Sequence, residues 1–205
     1  MDSPEEGYLE IAIGPMFSGK TTHLIQAYKK YTYIGKSVIV LNHAEDTRYH
    51  ETMLSTHDKI MIPCMQISKI RDAWHFREFI NSDVVLINEG QFFPDLHNTV
   101  LEMVDVYKKK VYICGLDGDF KRDKFGSILD LVPYCDKITK LQSLCSKCKN
   151  GKPAIFSHRL TREDSQILIG SDIYIPLCRN CYLTETREKK TSVGEFEIST
   201  NDSVL

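Results

Sequence analysis

The sequence predicts an α/β fold in which helices flank a parallel sheet and a small second lobe follows. Three observations predict it. Short apolar runs alternate with segments of helical spacing through about residue 142, the signature of βαβ units. Gly14-Pro15-Met16-Phe17-Ser18-Gly19-Lys20-Thr21 follows the first such run and opens the first helical segment, fitting G-x-x-x-x-G-K-[ST]. Cys145-x-x-Cys148 and Cys178-x-x-Cys181 then bracket a stretch of different texture. Together they describe a P-loop NTPase-type sheet joined to a zinc-ribbon-like lobe.

Each element follows in order. Tyr8 to Ile13 reads as a short strand ending at Gly14. Thr22 to Tyr31 carries Leu24, Ile25 and Tyr28 at helical spacing, and Gly35 closes it. Ser37 to Leu41 is a near-continuous apolar run, as expected of a strand buried on both faces. Ile70 to Ile80 reads as a helix, Asp83 to Ile87 as a buried strand, Leu96 to Tyr107 as a helix and Val111 to Cys114 as a strand. Ser127 to Val132 reads as a short helix stopped by Pro133, and Lys137 to Leu141 as the last strand.

The chain has 205 residues, 42% apolar and 26% charged, the make-up of a globular protein rather than a disordered or collagen-like one. No apolar run reaches the roughly 18 residues of a membrane helix. The acidic start Met1-Asp2-Ser3-Pro4-Glu5-Glu6 lacks the basic and apolar regions of a secretory signal. A cytoplasmic location without a membrane partner is the expectation. The net charge of −2 supplies no global basic excess, so a nucleic-acid partner is not expected. Four segments are expected: an N-terminal tail (1–7), a P-loop nucleotide-binding α/β domain (8–142), a zinc-binding lobe (143–183) and a polar C-terminal tail (184–205).

The phosphate-binding loop has a direct chemical reading. Glycines let the backbone wrap a phosphate, and successive N–H groups with the helix N-terminus supply positive potential. Lys20 would reach the β- and γ-phosphates, and the Thr21 hydroxyl would ligate Mg²⁺.

Such a loop needs an acidic partner at the end of another buried strand. Val84-Val85-Leu86-Ile87 ends in Asn88-Glu89-Gly90-Gln91-Phe92-Phe93. Glu89 is placed to accept a proton from an attacking hydroxyl, as a general base does; the alternative is a solvated strand-end carboxylate. Asn88 stands where an aspartate is expected to assist Mg²⁺. Its neutral carbonyl suits an outer-shell role through a metal-bound water, so weaker metal affinity is expected.

Seven cysteines, an odd number in a chain expected to stay in a reducing compartment, argue against a disulfide framework. The two CxxC pairs therefore read as four thiolates around one tetrahedral Zn²⁺, a closed and hence structural site. The 29 residues between Cys148 and Cys178 would form a loop clamped at its base. Cys64, Cys114 and Cys135 stand singly in or beside apolar segments and read as small hydrophobes.

Taken together, the P-loop, Asp46-Thr47-Arg48-Tyr49, Glu89-Gly90-Gln91-Phe92-Phe93-Pro94-Asp95, Leu116-Asp117-Gly118 with Phe120, the cysteine pairs and Cys178-Arg179-Asn180-Cys181-Tyr182 resemble the cellular-type (type II) thymidine kinases. The resemblance runs in one order from about residue 8 to 182. It implies transfer of the ATP γ-phosphoryl group to the 5′-hydroxyl of thymidine, with Glu89 as the base. It places Asp46, Arg48, Asn88 and Gln91 with the P-loop on the ATP side. Met16, Phe92, Leu116, Phe120 and Phe125 match the thymine pocket. Ser157, the stretch Ser165-Gln166-Ile167-Leu168-Ile169 and Tyr174 match a lasso that folds over the base and reads it through backbone groups. A homotetramer inhibited by thymidine triphosphate is also implied.

Read without the resemblance, Phe120 and Phe125 are core aromatics, Tyr174 a ribbon tyrosine, and Asp46 with Arg48 a surface ion pair of little value. The chain departs from the family pattern at Asn88, in a longer loop after Cys148, and at Ile169-Gly170 where a glycine pair is usual. Two rival functions share the motifs: a zinc-ribbon P-loop ATPase acting on nucleic acid, and a nucleotide-dependent interaction switch.

Overall fold

The computed structural model describes residues 6–45, 52–55, 59–170 and 172–188. In chain order the larger lobe holds β1 (Tyr8–Ile13), α1 (Lys20–Tyr33), β2 (Val38–His43), a hairpin of β3 (Met53–Ser55) and β4 (Met61–Pro63), and β5 (Met65–Ile67). There follow α2 (Arg77–Ile80), β6 (Val84–Ile87), α3 (Leu96–Leu101), β7 (Lys110–Gly115) and β8 (Lys137–Lys140). Six strands form one sheet in the order β5-β2-β6-β7-β1-β8, and every pairing in it is parallel.

Both faces are covered, as a parallel sheet requires. Leu24 and Ile25 of α1 pack with Ala12, Val40, Leu86 and Cys114 on one face. Ile70, Phe79, Leu96, Val100 and Leu131 cover Ile11, Leu41, Ile87 and Ile113 on the other. Each such aliphatic side chain contributes roughly 1.5–3 kcal/mol when fully buried. One carboxylate sits among them: Glu10 accepts hydrogen bonds from Tyr8 Oη (2.9 Å) and Lys137 Nζ (2.9 Å), with His23 Nε2 at 3.2 Å.

The expected strands appear within two residues at either end, but three helices differ. The segment Ile70–Ile80 is broken. A 3₁₀ helix spans Ile70–His75, Phe76 turns extended (φ −107°, ψ 131°), and α2 follows. Ile70 and Ala73 are buried at a spacing of three, which suits the 3₁₀ period better than 3.6. The 3₁₀ turn is capped from afar, Ile70 N and Arg71 N donating to the Asp95 carboxylate at 3.0 and 2.8 Å. The helix expected at Leu96–Tyr107 is α3 continued by a π turn over Glu102–Val106, which turns both Met103 and Val104 inward. The third runs through its expected stop, as a 3₁₀ helix over Ile128–Tyr134 that includes Pro133. The hairpin β3–β4 and the edge strand β5 had no signal at three residues each.

The smaller lobe is built from two antiparallel ribbons: β9 (Ser143–Leu144) with β10 (Pro153–Ala154), and β11 (Phe156–Arg159) with β12 (Tyr174–Leu177). A helix over 179–188 follows, continuing past residue 183, where the polar tail was expected to begin.

Because the strands are parallel, β1 and β6 deliver their carboxyl ends to the same edge of the sheet. Ile13 lies beside Gly115 and Ile87 beside Ile113, with β7 between. The loop after β1 and the acid after β6 therefore emerge two strands apart, where open α/β sheets bind ligands.

Candidate active site

The loop Gly14–Gly19 passes directly from β1 into α1. Gly14 has φ +155°, and a Cβ there would sit 2.5 Å from the Leu141 carbonyl oxygen. Gly19 is different: space around it is open, but its φ of +81° is left-handed, which an L side chain resists. Phe17 also adopts positive φ, at 61°. Lys20 is buried and its Nζ donates to the Pro15 carbonyl at 2.7 Å. Ser18 Oγ is buried without a hydrogen-bond partner among the described residues, an acceptor and donor left for a polar ligand.

Glu89 follows β6 in a left-handed conformation (φ 51°, ψ 47°), a strained state for a non-glycine residue that turns its carboxylate off the strand axis. It is buried beside Gln91, whose Nε2 donates to Glu89 Oε2 at 2.7 Å. Gln91 was expected on the ATP side; its amide is engaged at both ends, since its Oε1 also accepts the Leu116 N–H at 3.0 Å. Asn88 is tied into the sheet. Its Nδ2 donates to Asn42 Oδ1 at 2.8 Å and its Oδ1 accepts from Cys114 Sγ at 3.1 Å.

These groups share one cavity of about 390 Å³, enough for a nucleoside beside a phosphate chain. Met16 to Thr21 and Asn88, Glu89 and Gln91 line one part of it. Phe92, Leu116, Phe120 and Phe125 form an apolar slot, with the Phe92 and Phe125 rings edge to face at 5.4 Å. Ser157, Gln166, Ile167, Leu168, Ile169 and Tyr174 close it from the smaller lobe. Direct bonds join the lobes here: Met16 N donates to Ser157 Oγ at 2.9 Å, and Gln166 Nε2 donates to Asp119 Oδ2 at 2.8 Å and to the Lys124 carbonyl at 3.3 Å.

Three expected residues do not line the cavity. Gly14 and Pro15 open the loop without lining the cavity, and the Pro15 carbonyl holds Lys20 Nζ. Ser165 points its hydroxyl at the Ile167 carbonyl, 3.0 Å away, bracing the lasso from behind. Asp46 and Arg48 lie outside the described residues. The structure adds wall residues that the sequence reading missed: Leu54 and Ser55 from the short hairpin, and Thr22, Gly118, Asp119 and Gly170. Gly118 stands in the Leu116-Asp117-Gly118 motif and Gly170 beside Ile169, so both carried a signal; the other four sit in no pattern that marks a site.

The four cysteines converge. Their sulfur atoms all lie within 4.8 Å of one another, and Cys148 Sγ is 3.5 Å from Cys181 Sγ and 3.8 Å from Cys178 Sγ. A tetrahedral Zn²⁺ with bonds of about 2.3 Å has edges of about 3.8 Å, so the set fits that ion. A disulfide, at about 2.05 Å, does not describe these separations. Burial alone would raise the Cys145 thiol, but backbone N–H groups of Cys148, Cys178 and Lys147 outweigh it and bring it down to about 6. Cys178 is lowered too, chiefly by the Cys181 backbone N–H, while neighbouring sulfurs push Cys181 up to about 12 and Cys148 is also raised, so two of the four favour the thiolate that binds metal. Tyr182, next to Cys181, donates to the Phe120 carbonyl at 2.7 Å and links this cluster to the apolar slot.

Comparison with known proteins agrees with the arrangement. The family model described as thymidine kinase matches residues 7–182. A thymidine kinase of Oryza sativa subsp. japonica is 40% identical over 182 residues, covering 86% of this chain and 66% of the rice protein. Thymidine kinase a of Arabidopsis thaliana is 37% identical over 197 residues, covering 94% and 82% of the two chains. The cytosolic thymidine kinase of Gallus gallus is 36% identical over 193 residues, covering 94% and 84%. With that family model spanning most of its length and relatives 36–40% identical to it, the chain belongs to the thymidine kinase family.

Proposed function

We propose that this chain phosphorylates thymidine at the expense of ATP, with Glu89 as the general base that takes the 5′-hydroxyl proton. One observation carries the reading: the P-loop amides, the Glu89 carboxylate and a flat apolar slot open into a single cavity of nucleoside size. Phosphoryl transfer asks a protein for positioning and charge stabilisation rather than covalent chemistry.

Each part has a task. The loop amides, Lys20 and the N-terminus of α1 cradle the triphosphate. The Thr21 hydroxyl, with Asn88 beyond it, would hold Mg²⁺. That ion, when bound, neutralises charge developing on the transferred group. Gln91 orients Glu89, and its own anchor is the Leu116 N–H. Met16, Phe92, Leu116, Phe120 and Phe125 hold the pyrimidine, while Ser157, Tyr174 and the lasso over 165–169 cover it and exclude water. Asp46 and Arg48 are assigned to the phosphates on the family resemblance. Cys145, Cys148, Cys178 and Cys181 hold a structural Zn²⁺ that pins the base of the lasso.

The family resemblance also supports a homotetramer, inhibition by thymidine triphosphate and a cytoplasmic location, the last matching the word cytosolic in the chicken relative's name. No helix among the described residues is long and apolar enough to cross a membrane. The nucleic-acid ATPase reading is not favoured.

ADP release measured with thymidine, with DNA and with neither tests the proposal. Thymidine-dependent release that disappears in Glu89→Gln is expected; release indifferent to thymidine would refute it.

A further inference from the structure

Arg159 is the largest of the fully buried side chains among the described residues, at 1% exposure, and it is not among the residues that line the cavity. A guanidinium has five N–H donors in a fixed fork. Here all five are used. Nε and Nη2 donate to Tyr174 Oη at 3.0 and 2.6 Å, and Nη2 also donates to the Gln166 carbonyl at 3.0 Å. Nη1 donates to the carbonyls of Glu163 (2.9 Å) and Ser165. The flat face of the same group lies 3.8 Å from the centroid of the Phe120 ring.

These partners are the lid itself. The carbonyls of Glu163, Ser165 and Gln166 turn onto one cation, and the stretch that continues from Gln166 to Gly170 lines the cavity. Tyr174, anchored by two bonds from Arg159, donates its own O–H to the Leu168 carbonyl at 3.0 Å. Phe120, which floors the apolar slot, is stacked from behind. Gln166, with its backbone held by Arg159, is aimed across the gap at Asp119 Oδ2. One side chain thus sets the lasso backbone, the lid tyrosine and the slot aromatic together.

We infer that Arg159 is a positioning residue for nucleoside selection, one that shapes the base site without contacting the nucleoside. The inference rests on the thymidine reading above. Lysine cannot replace it, because an ammonium has three donors, no plane to stack and no fork to span four acceptors. A pre-formed lid lowers the ordering cost of binding, so its loss falls on nucleoside affinity and not on ATP.

The test is steady-state kinetics of Arg159→Lys and Arg159→Gly, with each substrate varied in turn, and zinc content measured alongside. The KM for thymidine should rise at least about tenfold while the KM for ATP changes by less than about twofold, with zinc retained. Added guanidinium chloride at millimolar concentration should restore part of the thymidine KM in Arg159→Gly. Equal rises in both KM values, no rise in either, or no rescue overturns the inference. Should Arg159→Lys and Arg159→Gly fail to fold, Arg159→Gln, which keeps a planar head with two donors in place of five, takes their place. It should show the same one-sided KM rise with zinc retained, and a symmetric effect or none overturns the inference. Wild-type protein without thymidine-dependent turnover overturns the thymidine reading instead, a distinct failure.

Discussion

The Gln91 side chain bridges Glu89 and the end of β7: its Nε2 lies 2.7 Å from Glu89 Oε2 and its Oε1 3.0 Å from the Leu116 nitrogen. The bond fixes the direction of the carboxylate. Gln91→Leu removes one donor from a buried acid and leaves a backbone N–H seeking a partner. We expect kcat to fall about tenfold, the equivalent of one buried hydrogen bond. Glu89→Gln should cost far more, about 10²–10⁴ in kcat. An unchanged kcat in Gln91→Leu would remove Gln91 from the machinery.

Asn88→Asp has two expected consequences. A charged oxygen beside the phosphate cavity should lower the Mg²⁺ concentration needed for half-maximal activity. The same change removes the amide that donates to Asn42 Oδ1, so the melting temperature should fall by a few degrees. A Mg²⁺ titration identical to wild type refutes the metal role of this position.

Purified protein should hold about one Zn²⁺ per chain. Cys145→Ser and Cys178→Ser should each lose the metal and raise the thymidine KM more than the ATP KM, since Tyr182 no longer holds the Phe120 carbonyl from a fixed base. Full activity in metal-free, chelator-treated protein contradicts the structural role.

Glu10 gives the fold an acid-sensitive contact. Burial pushes its carboxyl up, but Lys137, Tyr8 and His23 outweigh burial and hold it below its ordinary 4.5. A carboxyl with a lowered folded pKa stabilises the protein above the unfolded value, and that contribution is lost as pH falls through the folded one. Glu10→Gln should therefore lose about 1–3 kcal/mol at pH 7. Its deficit against wild type should shrink as the pH drops below 4.5. Denaturant melts at pH 7 and pH 3 decide it, and equal deficits at both would contradict the assignment.

Much of this site was legible from local pattern. The run Tyr8–Ile13, the glycines around Lys20 and the two CxxC pairs each act within a few residues, so side-chain identity and spacing encode them. The break at Phe76 and the π turn at Glu102–Val106 were not legible, because packing against the sheet, not propensity, chose the local period. The hairpin that brings Leu54 and Ser55 to the cavity was too short to show.

By itself, then, the sequence determined that β-runs alternate with helices, that a phosphate loop precedes α1, and that four thiols can share one ion. Only the tertiary structure decided that Gln91 serves Glu89, that Ser157 meets the Met16 amide, and that Arg159 gathers the lasso. The reason is physical. Ser157 and Met16 lie 141 residues apart, while Gln91 with Glu89 and Arg159 with the lasso are near in the chain but meet only through the turn the backbone takes between them. Several of the groups they bind are backbone carbonyls and amides, which every residue carries and no sequence letter distinguishes.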